Sequence, residues 1–210
     1  MKLYYFESPN PRLACAAARQ VGAAVELVRV DLIRGEQRRP DYLALNPNGR
    51  VPTLVDGDRV LWEAPAIAAH LAQRQGSDFW PGDAQDQIEL LRWLHWNSTH
   101  FTRHAIGLFF EHVIKPRLGL GEPGPAQVEE GTRYFHQFAQ VLERQLEDRD
   151  YLVADRLSLA DFAVAMVLPW AEESQLPLQD YARIRGWYAR IAALPAWREP
   201  YPAPVAAQAA

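Results

Sequence analysis

The sequence predicts two domains of different class: a small α/β domain with a mixed sheet, then an all-α domain. Three observations carry this. Short β-favouring runs alternate with alanine-rich helical runs as far as Gly76. A polar stretch at 77–86, containing Pro81 and Gly82, reads as a linker. Beyond it the apolar residues recur with the helical period through the all-α domain, 87–200. A chain of 210 residues is long enough to bury a real core in one large domain or two small ones.

In the first domain, 1–76, residues 3–6 form a short apolar run with β-favouring tyrosines. Ser8-Pro9-Asn10-Pro11 follows as a turn cluster that also reads as a helix start, and the alanine-rich segment 12–20 stops at Gly22. Residues 25–30 alternate in part, as a half-buried strand does. Asp56-Gly57-Asp58 between 51–55 and 59–62 signals a hairpin. A helix over 65–75 ends at Gly76, so the order is βαβ, a loop-rich stretch, then ββα.

In the second domain Ile88, Leu91, Leu94, Phe101, Ala105, Leu108 and Val113 are spaced to form one buried face of a long helix, broken at 119–125. A second helix spans 126–147. Ser158-Leu159-Ala160-Asp161 is a capping box, with Leu157 and Phe162 as its hydrophobic staple. The helix it opens is apolar nearly all round and belongs at the domain centre. A last helix spans 179–194, and the Pro/Ala-rich tail, 201–210, reads as loose. No internal repeat is visible.

Composition narrows the function. The chain is 49% hydrophobic and 23% charged, as globular proteins are. Its net charge of −4 lacks the basic excess that phosphate-backbone binding needs, so nucleic acid is not expected as a partner. One cysteine, Cys15, excludes an internal disulfide and any Cys-rich metal site, and it fits a reducing compartment. No secretory signal precedes Glu7, and the longest apolar stretch, 162–171, is too short for a membrane helix. The chain reads as cytoplasmic, with no membrane partner.

Three segments of the first domain read together as a site. At Ser8-Pro9-Asn10-Pro11-Arg12 a helix begins, and its positive end with Ser8 and Asn10 as donors would favour an anion such as a thiolate. Plain helix capping explains the same residues. In Asn46-Pro47-Asn48-Gly49-Arg50-Val51-Pro52, a cis Pro52 would turn the Val51 backbone outward to pair with an extended peptide ligand; a simple turn before an edge strand is the alternative. In Glu63-Ala64-Pro65, with Pro65 at the first helical position and Ala64 as cap, an uncapped helix start invites a carboxylate while Glu63 holds an amine. Alternatively, Glu63 only complements the helix dipole.

The segment 46–52, Glu63 twelve residues after Val51, and Ser158-Leu159-Ala160-Asp161-Phe162 together resemble the cytosolic glutathione transferases, over about 1–200. The resemblance implies an N-terminal thioredoxin-like domain, a helical bundle domain, a homodimer and glutathione as co-substrate; from the residues themselves no metal is expected. It implies catalytic roles for Ser8, whose hydroxyl would stabilise the glutathione thiolate, and for Asn10. Gln37 and Arg38 fall where the family often places a His-Lys pair on the glycyl carboxylate. Val51 before Pro52 would pair with the cysteinyl unit, and Glu63 would bind the γ-glutamyl amine. Ala64 departs from the usual Ser or Thr, leaving its backbone amide for the γ-glutamyl carboxylate. Ser8-Pro9-Asn10 is also similar to a Thr-Pro-Asn-Gly subgroup that reduces disulfides with glutathione, although Pro11 replaces the glycine.

A bound thiolate would then attack a small hydrophobic electrophile, with Ser8 as donor rather than nucleophile. Trp93, Asn97, His100 and His104 form a polar and aromatic stripe that would line the electrophile pocket, with Trp170; a dimer contact or solvated face is the alternative. His100 and His104 lack the Glu of a His-Glu-x-x-His zinc motif. Cys15, among alanines, reads as core. Arg12, Arg38, Arg39 and Arg50 suit a carboxylate-bearing ligand. A disulfide reductase, or a binding protein that kept the fold without the chemistry, remain the other readings.

Overall fold

The computed structural model describes residues 1–202, which fall into two units. The first contains Met1–Gly76 and the chain from Leu194 onward, and the second is Ser77–Ala193. In the first unit the order is β1 (Lys2–Tyr5), α1 (Pro9–Gln20), β2 (Glu26–Arg29), α2 (Pro40–Leu45), β3 (Thr53–Asp56), β4 (Arg59–Trp62) and α3 (Ala64–Arg74). The sheet order is β2-β1-β3-β4, with β1 parallel to β2 and antiparallel to β3, and β3 antiparallel to β4. This is the expected βαβ-ββα thioredoxin-like arrangement; α2 lies within the stretch expected to be loops.

Helix α1 is buried on nearly every side, so its middle must be small. Ala14, Cys15, Ala16 and Ala17 are fully buried, and the alanines let α1 pack directly on α3. Burial also pushes the Cys15 thiol up to about 12, consistent with a packing role. A further helix, α10 (Pro195–Arg198), packs on α1 from the far end of the sequence. The first unit therefore takes back chain that the sequence assigns to the helical domain. Of the tail expected to be loose, residues 203–210 lie outside the described residues, but Tyr201 is docked, its ring stacked on Tyr5 at 5.2 Å.

The second unit contains α4 (Ala84–Trp96), α5 (Thr102–Phe109), α6 (Lys115–Arg117), α7 (Pro125–Gln145), α8 (Leu159–Ala165) and α9 (Ala182–Ala192). Helices α4, α5 and α6 form one long rod joined by two π turns, Asn97–Phe101 and Phe110–Ile114. The first π turn corrects the expected buried face. Phe101, Ala105, Leu108 and Val113 are buried as expected, but Ile88 is 61% exposed and Leu91 38%. An extra residue in a helical turn rotates what precedes it by about 100°. Leu90 and Trp93 are turned inward instead.

Asp161 organises the centre of this unit. Every residue of α8 is buried, and the Asp161 carboxylate accepts from four donors: the Ser158 amide (2.9 Å) and hydroxyl (3.0 Å), the Leu152 amide (3.0 Å) and the Trp187 indole N–H (2.9 Å). Burial pushes this carboxyl above its usual range, and the four hydrogen bonds, all favouring the ionised form, oppose that push. The predicted box thus does more than cap α8: one side chain ties together the helix start, the Leu152 loop and α9.

Two outcomes follow. Asp161→Ala leaves three N–H donors buried without an acceptor and should lower the unfolding free energy by about 3 kcal/mol or more in urea titrations. Asp161→Asn, which keeps an acceptor, should cost less; equal and small losses would refute the hub role. Cys15 should react with a thiol reagent in the native protein only at the rate of unfolding, so fast labelling would contradict its core placement.

Candidate functional site

The site is built on the start of α1, the 46–53 loop and the start of α3. A cleft of about 220 Å³ is lined by Asn10, Asn46, Asn48, Arg50, Val51, Pro52, Trp62, Glu63 and Ala64. Of the expected glutathione-binding residues it collects Arg50, Val51, Pro52, Glu63 and Ala64, together with Asn10.

The loop is held from beneath. The Arg50 carbonyl accepts from the Tyr42 hydroxyl (2.6 Å) and from the Asn46 side-chain amide (2.9 Å). Tyr42 has then used its only proton, so Thr53 donates to the Tyr42 oxygen (2.9 Å) and accepts from Asn46 (3.1 Å). The Asn46 oxygen accepts from the Asn48 backbone and side chain (3.1 and 3.0 Å). With the Arg50 carbonyl fixed inward, the planar trans peptide turns the Val51 N–H the other way. Val51 makes no backbone hydrogen bond among the described residues. The Val51–Pro52 peptide bond is cis, the one of the two readings left open by the sequence that turns the Val51 backbone outward. Gly49 has φ +59°, and a Cβ there would meet the Gln37 carbonyl at 3.2 Å and Leu43 at 3.3 Å, so this turn requires glycine.

Ser8 is the N-cap of α1, yet its hydroxyl makes no capping hydrogen bond. The local sequence explains this. Pro9 and Pro11 occupy the first and third helical positions and have no N–H. Asn10 therefore holds the only free amide of the first turn, and the Arg12 amide is already bonded to the Ser8 carbonyl (3.0 Å). The helix start thus offers a single free backbone amide, that of Asn10, and Ser8 itself is not among the residues that line the cleft. Arg12 is not a ligand-facing charge: it donates to the Trp197 carbonyl and lies over the Trp197 ring at 5.2 Å.

Helix α3 begins one residue earlier than the sequence indicates. Ala64 is its first residue and Glu63 its N-cap, with φ 72°. Such a conformation in a non-glycine residue is strained and concentrates at functional sites. Glu63 is exposed and makes no capping bond, so its carboxylate is open to a ligand amine. The Ala64 and Ala66 amides face the free helix end, while Pro65 between them donates nothing.

Gln37 and Arg38 sit on a short 3₁₀ turn, Glu36–Arg38, and do not line the cleft. Gln37 donates to the Leu32 carbonyl (3.4 Å), and its own backbone carbonyl abuts Gly49. Asn46, Asn48 and Trp62 were not assigned from sequence. The half-exposed Trp62 at a strand end was the available signal, whereas the Asn roles depend on pairing with distant Tyr42 and Thr53.

The expected electrophile stripe is partly corrected. Asn97 is buried, donates to the Ala163 carbonyl (2.9 Å) and accepts from Thr102 (2.6 Å), so it serves the helical core. Trp93 is 1% exposed and packs edge-to-face on Trp96. His100 stacks on Phe138 at 4.7 Å and His104 on Tyr134 at 4.4 Å, while Trp170 tilts against Phe109. Burial, with Arg103 adding to it, lowers the His104 pKa and favours the neutral ring.

Known proteins share this fold and much of its sequence. Residues 1–73 match the family described as Glutathione S-transferase, N-terminal domain, and 102–195 match Glutathione S-transferase, C-terminal domain. Glutathione S-transferase 3 of Zea mays is 35% identical, with 95% of this chain and 92% of that protein covered. The structure of glutathione S-transferase III in apo form has TM-score 0.83 at 33% identity, covering 97% of this chain and 98% of the other. Glutathione S-transferase I from maize, in complex with an atrazine glutathione conjugate, has TM-score 0.86 at 27% identity and covers 95% of each chain. With both domain families matched in order and a relative above 30% identity spanning nearly the whole chain, this protein belongs to the glutathione S-transferase family.

Proposed function

We propose that this chain is a glutathione transferase whose cleft binds glutathione beside Ser8 and delivers its thiolate to a small hydrophobic electrophile. The observation that carries the mechanism is the uncommitted Ser8 hydroxyl at the start of a helix with two prolines in its first turn. Capping explains a serine there only if the hydroxyl caps. In this reading the Val51 N–H and carbonyl pair with the cysteinyl unit, Glu63 takes the γ-glutamyl amine, and the Ala64 amide takes the neighbouring carboxylate. Arg50 supplies positive charge at the same cleft, and in this reading Gln37 and Arg38, on the turn outside it, take the glycyl carboxylate.

A thiol with an ordinary pKa near 8.5 is only a few per cent ionised at neutral pH, in the sense of order of magnitude. The Ser8 hydroxyl, the Asn10 donors and the α1 dipole all favour the thiolate over the thiol. The sulfur then forms a bond to the electrophilic carbon as the leaving group departs, and no covalent enzyme intermediate is needed. The maize enzyme's atrazine conjugate is the kind of product such a reaction gives. We further read the protein as a cytoplasmic homodimer; no helix among the described residues is long and apolar enough to cross a membrane.

Ser8→Ala should lower kcat about a hundredfold at neutral pH with glutathione affinity nearly kept. Because the bound thiol pKa rises, the deficit should shrink as pH climbs toward that pKa. An unchanged kcat and pH profile would remove Ser8 from the mechanism. Ala64→Ser restores a hydroxyl at the first turn of α3 and should tighten glutathione binding about fivefold by calorimetry; no gain would mean that the backbone amide already suffices. Thermal unfolding with reduced and with oxidised glutathione tests the site itself. Saturating ligand at about 100 times its Kd adds about 2.7 kcal/mol. Stabilisation by the oxidised form alone would favour the disulfide-reductase reading instead.

A further inference from the structure

We propose that the C-terminal segment of the first unit is a positioning strap for Ser8, with Tyr201 as its working residue; the inference rests on Ser8 being the thiolate donor. The Tyr201 hydroxyl donates to the Ser8 carbonyl at 3.3 Å, across 193 residues of sequence. That carbonyl also accepts the first helical bond from the Arg12 amide (3.0 Å), and the Ser8 amide donates to the Phe6 carbonyl (2.8 Å). With proline next in sequence, both polar backbone atoms of Ser8 are held, leaving its hydroxyl as the free polar group.

The strap is fastened at three further points, all within the first unit. The Tyr201 ring stacks on Tyr5, the last residue of β1, at 5.2 Å and 15° between planes. Arg19, near the end of α1, donates to the Tyr201 carbonyl (3.2 Å). Arg12 holds the Trp197 carbonyl and covers its indole. Burial raises the Tyr201 phenol well above its usual range, Cys15 and Glu7 add to that push, and Arg12 opposes it. The phenol therefore stays protonated and remains a donor. A hydroxyl that must meet a thiolate in one direction gains from a fixed backbone, since misplacement weakens a directional hydrogen bond steeply.

Tyr201→Phe removes the donor and keeps the ring on Tyr5. Turnover with a generic aromatic halide electrophile and ultraviolet titration of the bound glutathione thiolate should be compared with wild type. The expected result is a kcat about fivefold lower near about pH 6.5, a glutathione KM within about twofold, and a thiolate midpoint higher by about half a unit. The rate deficit should close at higher pH, and the melting temperature should stay close to wild type. A variant that loses stability, with kcat and KM changed but the midpoint unmoved, overturns the inference and makes the strap merely structural. Identical midpoints and rates in an active wild type and the variant overturn it too, while leaving the transferase reading intact. Wild-type protein without glutathione-dependent turnover overturns both.

Discussion

The Arg50 carbonyl, gripped at once by Tyr42 and Asn46, is the constraint on which the cleft depends. A backbone that recognises a peptide-like ligand needs its N–H aimed before the ligand arrives, and a loop of Asn, Gly and Pro has no intrinsic reason to hold one orientation. Tyr42 and Asn46 are 5% and 2% exposed, so their polar atoms would be costly if left unmade. They are satisfied in the conformation that points the Arg50 carbonyl inward. The cost of breaking the knot is therefore what keeps the Val51 amide outward, and the ligand need not supply that ordering itself.

The two helix starts beside the cleft follow a related economy of donors. Helix α1 opens with Pro9 and Pro11, and α3 has Pro65 as its second residue. An ordinary helix end offers a fan of amides to any anion. Here the prolines thin the fan to selected N–H groups at Asn10, Ala64 and Ala66. Binding then depends on where a ligand's charges sit more than on their presence. This suits a ligand with a thiol, an amine and carboxylates at fixed separations better than a free phosphate or sulfate.

The sequence was most informative where local chemistry decides the outcome. The hairpin at Asp56-Gly57-Asp58, the α8 box at Ser158 and Asp161, and the Pro52 turn are each specified by adjacent residues, and each was legible. The face of α4 was not, because a π turn at 97–101 breaks the periodicity on which such a reading rests, exposing Ile88 and Leu91. Arg12 looked like a ligand charge because its partner, Trp197, lies at the other end of the chain. Asn97 looked like a pocket residue for the same reason: its partner carbonyl is on α8. The cleft residues Val51, Pro52, Glu63 and Ala64 were visible in motifs, but the support beneath them, Tyr42 and Thr53 around Asn46, appears only once the loop is folded.

The first unit is discontinuous: its α10 and Tyr201 are separated from the rest of it by the whole helical unit. During synthesis the ribosome thus emits β1 to α3 well before the segment that completes them. At typical elongation rates the gap is on the order of ten seconds. Throughout that interval the part of α1 that receives α10, and the Tyr5 ring on which Tyr201 stacks, lack the cover that this segment provides. Completion of the Ser8 region is in this way tied to arrival of the carboxyl end, so a prematurely terminated chain would contain every residue of the cleft and still lack the piece that finishes it.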